Sequence, residues 1–375
     1  MSRGRVIARM PAWRWPAACG GLRAAALLAA GAVLLALGGC ADTRYYWQSV
    51  SGHMHMLTAA RPVDDWLADA ATPAELRERL RLGQRIRHFA VDALHLPDNA
   101  SYRRYAELGR PAVVWNVVAA PAYSLKLKTW CFPVAGCVGY RGYFDEAQAQ
   151  AEAAALRAEG LEASVYGVPA YSTLGWMNWA GGDPLLSTFI RYPESEFARL
   201  VFHELAHQVV YVPGDTPFNE SYATAVERLG TAQWLKTHAT SQSFAVHQRI
   251  EQRRTQFRVL AQATRRELEA LYRAMPADVA LRKSAILQSF RDNYAALKVQ
   301  WGGFSGYDAW VARANNASFG AQAAYDDGVP AFEALFQREG GNWSRFHAEV
   351  RRLAVLAPAA RKQALEALRV SSGTR

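Results

Sequence analysis

The stretch Phe202-His203-Glu204-Leu205-Ala206-His207-Gln208 decides how this chain is read, because it has the form H-E-x-x-H. Residues four apart on a helix lie one above the other, so His203 and His207 would present two imidazoles to the same point. Two neutral imidazoles at that spacing can hold one zinc ion, with Glu204 beside them to take a proton from an attacking water. Phe197, Leu200, Val201, Leu205 and Val209 recur at helical spacing, which predicts an apolar, largely buried helix over 195–210. Histidines and a carboxylate in such a helix are costly to bury without partners, and a metal ion would supply them. A surface helix bearing the motif by chance would not carry those apolar flanks.

Zinc in a catalytic site takes a third protein ligand and keeps one position open. Glu220, in Phe218-Asn219-Glu220-Ser221-Tyr222-Ala223, is the candidate. Thr216 as N-cap and Pro217 as first helical residue predict a helix that starts there, with Glu220 in its first turn. These residues resemble the gluzincin metallopeptidases, whose second helix carries Asn-Glu-x-x-Ala or Asn-Glu-x-x-Ser with the Glu as third zinc ligand. Asn219, Glu220 and Ala223 match by position. The resemblance implies an α+β, zincin-like fold, with a small sheet over the H-E-x-x-H helix and a mostly helical C-terminal part. Twelve residues separate His207 from Glu220, fewer than in the thermolysin-like and aminopeptidase branches. Thr224 stands where thermolysin-like enzymes have an aspartate that orients a zinc histidine. Glu227, two turns after Glu220 on the same face, is the candidate substitute. The metzincin pattern fails at Val210 and Pro213. Asp215 is the alternative third ligand, although it precedes the helix and lacks the surrounding motif.

The first 39 residues contain Arg3, Arg5, Arg9, Arg14 and Arg23, no acid, and an apolar run over 24–37. A basic n-region, a short apolar h-region and small residues at the cut predict a secretory signal peptide. Leu37-Gly38-Gly39-Cys40 resembles the lipobox of bacterial lipoproteins, which implies lipidation of Cys40 after cleavage just before it. A transmembrane anchor is the alternative, but the run is shorter than the ~20 residues a span needs. Ala41 rather than Asp follows the cysteine, and by the same resemblance this points to the outer membrane, facing the periplasm. The whole chain carries a net charge of +10, and removal of the five signal arginines leaves about +5. That excess suits an anionic envelope surface, and no nucleic-acid motif accompanies it, so nucleic acid is not an expected partner. Cys131 and Cys137 close a short loop with Pro133 and Gly136 inside, and in an oxidising compartment they should be bridged. Zinc binding by this pair is the minor alternative, since its spacing exceeds C-x2–4-C.

The expected organisation is a signal peptide over 1–39, an N-terminal helical region over 40–110, a catalytic core over 111–236 and a helical C-terminal region over 237–375. Strands are predicted at 112–118 and 163–168, around a helix at 145–159 that Gly160 ends. In zincins the edge strand of the small sheet pairs with an extended substrate, and Tyr171, Ser172, Thr173 and Gly175 are expected on that edge. Trp176 and Trp179 are candidate pocket residues. Helices are predicted over 231–275, broken around 237–243, and over 277–301. Tyr325 and His347 are candidates to steady an oxyanion, and Asn315 or Asn316 to bind substrate backbone.

Lipobox, H-E-L-A-H-Q, N-E-S-Y-A, a strand-rich segment before the zinc helix and a helical tail together resemble the bacterial family of predicted aminopeptidases that are zinc-dependent lipoproteins. The resemblance implies one Zn²⁺ per chain on His203, His207 and Glu220, Glu204 as catalytic base, and a peptide or protein substrate. The Gly-x-Met-Glu-Asn-type motif that holds a substrate's free amine in one gluzincin branch is missing. Asp183 and Glu194 are the acids near the cleft by sequence. A zinc endopeptidase and a catalytically silent zinc-binding envelope lipoprotein stay open as alternatives.

Overall fold

The computed structural model describes residues 40–132, 136–175, 177–326 and 328–372, with 40–43, 323–326 and 370–372 as backbone only. The expected signal peptide and the side chain of Cys40 therefore lie outside the described residues. The chain divides into two units, residues 1–51 and 52–375. The described residues of the first are helical and belong to α1 (Cys40–Ala59), whose last turns fall in the second unit. No helix among the described residues is long and apolar enough to cross a membrane.

The second unit is a mixed α+β body in which small sheets precede a mostly helical half. Strand β1 (Arg61–Pro62), helices α2 (Val63–Ala68) and α3 (Ala74–Asp92), and strand β2 (Arg104–Ala106) come first. Strand β3 (Val114–Pro121) begins two residues later than the sequence suggested and is buried along nearly its whole length. The hairpin of β4 (Trp130–Phe132) and β5 (Gly136–Val138) follows, and Cys131 and Cys137, opposite each other in its register, form a disulfide. After β6 (Arg141–Tyr143), the Asp145 side chain caps α4 (Glu146–Ala158) through the Gln148 N–H at 2.8 Å. Gly160, at φ +84°, then turns the chain into β7 (Leu161–Val168). A side chain is strained at that φ, so glycine is the residue that ends this helix cleanly. The sheet order is β6-β3-β7, all antiparallel, with Val114 opposite Val168 and Pro121 opposite Leu161. A second small sheet joins β1, β2 and β8 (Leu185–Leu186).

Residues 171–175 of the predicted edge strand form a loop instead. Asp183 holds this segment as a loop: its Oδ1 accepts the Thr173 N–H at 3.0 Å and the Thr173 hydroxyl at 2.7 Å. Leu174 at φ +56° and Gly175 at φ +79° turn the backbone there, which a strand cannot accommodate. Trp176 lies outside the described residues, and Trp179 is 83 % exposed on a short 3₁₀ turn.

Helix α5 (Glu194–Val209) carries H-E-x-x-H, and α6 (Thr216–His238) packs along it. Glu194 and Glu196 in the first turn of α5 favour its positive end. Phe197, Ala198, Val201, Phe202, Leu205 and Ala206 are buried and anchor the main core together with Phe218, Tyr222 and Val226 of α6. Each large side chain so buried contributes about 1.5–3 kcal/mol relative to exposure. Asp215, one residue earlier than expected, is the true N-cap of α6, accepting from the Phe218 N–H at 3.2 Å. Helices α7 (Ser241–Ala274) and α8 (Val279–Gln300) pair as long antiparallel neighbours, with the break between α6 and α7 close to where the sequence placed it. They share a second core of Phe257, Leu268, Phe290, Tyr294 and Trp301. Helices α9 (Asp308–Ala312), α10 (Asn316–Asp326), α11 (Val329–Arg338), α12 (Trp343–Ala354) and α13 (Pro358–Ser372) complete the chain.

Candidate metal centre

His203 and His207 stand on the face of α5 that meets the first turns of α6, and Glu220 reaches them from α6. His203 Nε2 lies 3.1 Å from His207 Nε2 and 3.2 Å from Glu220 Oε2, and His207 Nε2 lies 3.8 Å from that same oxygen. Among the described residues this is the group of His, Cys, Asp and Glu side chains that could hold a metal ion.

The group's own chemistry tests the metal reading. Glu220 Oε2 is buried, and outside the two imidazoles no donor meets it. A buried carboxylate oxygen so sparsely satisfied is unfavourable unless a cation meets it. His203 presents Nδ1 to Glu227 Oε2 at 3.0 Å, which fixes that nitrogen as the proton donor and turns Nε2 toward His207 and Glu220. Two ring nitrogens and a carboxylate oxygen then converge on one point with little between them to share. Two nitrogens and one oxygen make a donor set that suits zinc.

Glu227 is itself held in place. Its second oxygen accepts from Arg199 of α5. Arg199 also donates to Glu251 of α7 at 2.5 Å, and Arg254 of α7 ties Glu251 back to Glu196 of α5, with Arg254 and Glu196 2.5 Å apart. Burial alone would raise Glu227, yet Arg199 and His203 hold it down to about 2. Burial pushes Glu204 up to about 7, against the opposing field of His203 and with Glu220 and Asp183 reinforcing the rise. Burial also lowers His207 to about 4. A carboxyl near 7 can both accept and return a proton at neutral pH. A cavity of ≈ 530 Å³ opens at His203 and Glu204, lined by Arg199, Glu227 and Arg254 among others.

The other sequence candidates fall as follows. Asp215 is no ligand here: it caps α6 and accepts from Arg361 Nε at 2.9 Å and Nη2 at 2.7 Å. Tyr171 packs its ring against Phe144 at 5.2 Å, and Ser172 Oγ points to Asp183 at 3.4 Å. Tyr171, Ser172, Thr173 and Gly175 therefore sit in a loop tied through Asp183 to Gln208, whose Nε2 donates to Asp183 at 3.2 Å. The loop flanks the end of the H-E-x-x-H helix without offering a strand edge. Asp183 is buried and already accepts from these donors, and Glu194 accepts from the Trp234 indole at 2.9 Å. His347 is buried away from the centre, between the Tyr222 hydroxyl at 2.8 Å and the Leu94 carbonyl at 2.9 Å. Asn316 supports the carbonyls of Pro121 and Ala122, and Asn315 that of Ala163. Tyr325 belongs to α10, but its side chain lies outside the described residues.

The sequence reading missed the phenols around the centre. Tyr140 and Tyr166 have raised pKa values, first through burial and then through the charge of Glu220. Tyr102 is buried with an unpartnered hydroxyl, and Glu204 and Asp183 are the charges that act on it. Its backbone is left-handed, at φ +63°, and its N–H donates to the Asp183 carbonyl at 2.7 Å. No spacing rule connects these tyrosines to residues 203–220; a bulky residue held at positive φ is visible only in coordinates.

No curated protein and no solved structure matches the chain. A family model described as "Putative aminopeptidase" matches residues 44–365, which include the centre and every element from β1 to α12. The chain belongs to that aminopeptidase family.

Proposed function

We propose that this protein is a zinc-dependent, zincin-like peptidase, acting as an aminopeptidase, carried on the bacterial envelope by a lipidated Cys40 and facing the periplasm from the outer membrane. The observation that carries the reading is the convergence of His203, His207 and Glu220 on one buried point, where the Glu220 oxygen meets no donor besides the two imidazoles. These three residues would hold one zinc ion. Bound there, zinc supplies Lewis-acid polarisation of the scissile carbonyl and lowers the pKa of water. Glu204 accepts the proton of the attacking water and passes it to the leaving amine, a role its rise to about 7 favours. Glu227, braced by Arg199, keeps His203 in one tautomer and one orientation. The intact base favours hydrolysis over a structural metal site, which is normally closed by four protein ligands and has no use for a base.

The test is to incubate the zinc-loaded chain from Ala41 onward with a mixed peptide library, beside Glu204→Gln, and to read products by mass spectrometry. Stepwise loss of amino-terminal residues, absent in the variant, is the expected result. Internal cuts would replace the aminopeptidase reading by an endopeptidase. No cleavage by a folded, zinc-loaded protein would overturn the peptidase reading in favour of an envelope binding protein.

A further inference from the structure

The cavity beside the centre carries a metal ligand and the base on its own wall: His203 and Glu204 of α5 line it, with Thr224 of α6, Phe257 of α7, Trp310 of α9 and Gln322 of α10. A molecule held in this cavity therefore lies against His203 and Glu204. The charged groups around it are largely engaged with one another. Arg199 pairs with Glu227 and Glu251, and Arg254 with Glu251 and Glu196. Glu196 Oε1 is buried without a partner, but Arg254 meets that carboxylate through Oε2. Gln322 is placed differently. Its Oε1 is buried and has no hydrogen-bond partner among the described residues. The helix beneath it is fixed on both sides. Phe319, three residues earlier, is buried in the core shared by α7 and α8, and Ala317 packs with Val118 and Ala120 of β3. Gln322 is thus carried on a rigid element rather than on a loop. An unmet amide oxygen weakens a fold, because the group has left water and gained nothing in return. Leu or Met would fill the same space without that loss. A polar side chain kept unsatisfied on a wall shared with a metal ligand and a base fits a group that receives a ligand.

We propose that Gln322 binds the peptide backbone of the substrate beside the scissile bond. A peptide unit offers one C=O and one N–H, and the glutamine amide carries an acceptor and an NH₂ donor that match them. Rotation about its last side-chain bond exchanges the two ends, so either can turn toward the cavity. Recognition of this kind selects a peptide unit and not a particular side chain. The proposal rests on the peptidase reading for its meaning, but binding at Gln322 can be measured without turnover.

The experiment measures equilibrium binding of trialanine, whose small side chains leave the backbone to carry recognition. The host is the zinc-loaded full-length protein with Glu204→Gln, in which the peptide persists. Gln322→Met and Gln322→Leu are each introduced into this host, and denaturant unfolding of each is recorded. The expected result is binding weakened about 10-fold, the size of one or two neutral hydrogen bonds, with unfolding midpoints unchanged or higher. The midpoint separates recognition from support, because a side chain that held the fold together would lower it when replaced. Unchanged affinity in both variants, absence of trialanine binding to the host, or affinity lost together with the midpoint in both variants would overturn the proposal. Turnover is read separately with Glu204 restored. There Gln322→Met should raise KM about 10-fold with kcat little changed, as for a contact made equally before and during reaction. If the parent cleaves nothing, the peptidase reading falls and the binding comparison still decides the role of Gln322. If the parent cleaves and Gln322→Met leaves KM unchanged, the role of Gln322 is refuted and the peptidase stands.

Discussion

Helices α5 and α6 carry the side chains of Arg199, His207 and Glu220 at 9, 7 and 12 % exposure, while at the head of α8 those of Arg282 and Asp278 sit at 60 and 48 %. Both helix pairs pack through apolar faces and both are rich in charge. They differ in where the charge goes. Along α8, Arg and Asp stay in water, where an ion pair contributes little and can be lost without consequence. Between α5 and α6, charges have been taken out of water at a cost of several kcal/mol each unless their partners are well placed. A fold gains nothing from such groups that leucine could not supply better. Buried charges mark chemistry where they converge on one point, as between α5 and α6; Lys283 of α8, buried against Glu162 and the Ala122 carbonyl, and Arg361 against Asp215 brace the fold instead. The two pairs also meet: Glu251 and Arg254 of α7 complete the bracing of Arg199, so the solvated arm lends the buried site part of its frame.

The contrast can be broken most sharply at the base. Glu204→Gln should reduce kcat for peptide hydrolysis by roughly 10²–10⁴-fold, with zinc content unchanged by metal analysis. A loss of zinc with activity would instead make Glu204 a structural residue. On the other side, Phe290→Ala in the α7–α8 core should cost about 3–5 kcal/mol in denaturant unfolding while leaving zinc affinity of the folded protein as it was. If zinc affinity fell with it, the two regions would not be separable in the way described.

A third prediction concerns pH. His347 has an ordinary value of 6.5, lowered to about 4 in the fold, chiefly by burial. Below pH 6.5 the unfolded chain takes up a proton that the folded chain refuses, so stability falls as pH drops from 6.5 toward 4. The full loss across that window is about 3 kcal/mol. His347→Gln should reduce this slope in unfolding curves measured between pH 7 and pH 5, leaving the part due to His207, which burial also lowers to about 4, and an unchanged slope would assign it to other groups. The smallest effects lie at the supporting charges. Glu227→Ala should weaken zinc binding roughly 10–100-fold in chelator competition. Arg282→Ala on α8 should change stability by less than about 1 kcal/mol and zinc affinity not at all. Equal effects of these two substitutions would erase the distinction between braced and solvated charge.

The same contrast governs how much could be read from sequence. His203, His207 and Glu220 were legible because helical spacing converts position directly into direction. Glu227 was legible for the same reason, once Glu220 was placed on its helix. Arg199 was not: its partner Glu251 is 52 residues away, and only tertiary packing brings them together. The strands expected at 112–118 and 163–168 lie within three residues of those at 114–121 and 161–168, and the alanine- and glutamine-rich helix between them ends before Gly160 as expected, while its cap at Asp145 was not foreseen. The segment at 171–176 misled because its residues favour a strand locally, while Asp183, ten residues beyond Thr173, captures its hydrogen bonds. Asp215 looked like a ligand because an acid near a metal helix is ambiguous in sequence, and its capping and pairing with Arg361 resolve it. The tyrosines Tyr102, Tyr140 and Tyr166, on which Glu204 and Glu220 act as charges, come from the loops at 102 and 140 and from β7, and no local rule announces them.

The measurement that bears most directly on this account is the metal itself. Wild-type protein, saturated with zinc and freed of excess, would be analysed for metal content and by X-ray absorption at the zinc edge. The account predicts close to one zinc per chain, with two imidazole nitrogens and a carboxylate oxygen among its neighbours and no sulfur, lost in Glu220→Ala. A metal-free protein, or zinc bound through sulfur or unaffected by Glu220→Ala, would contradict it.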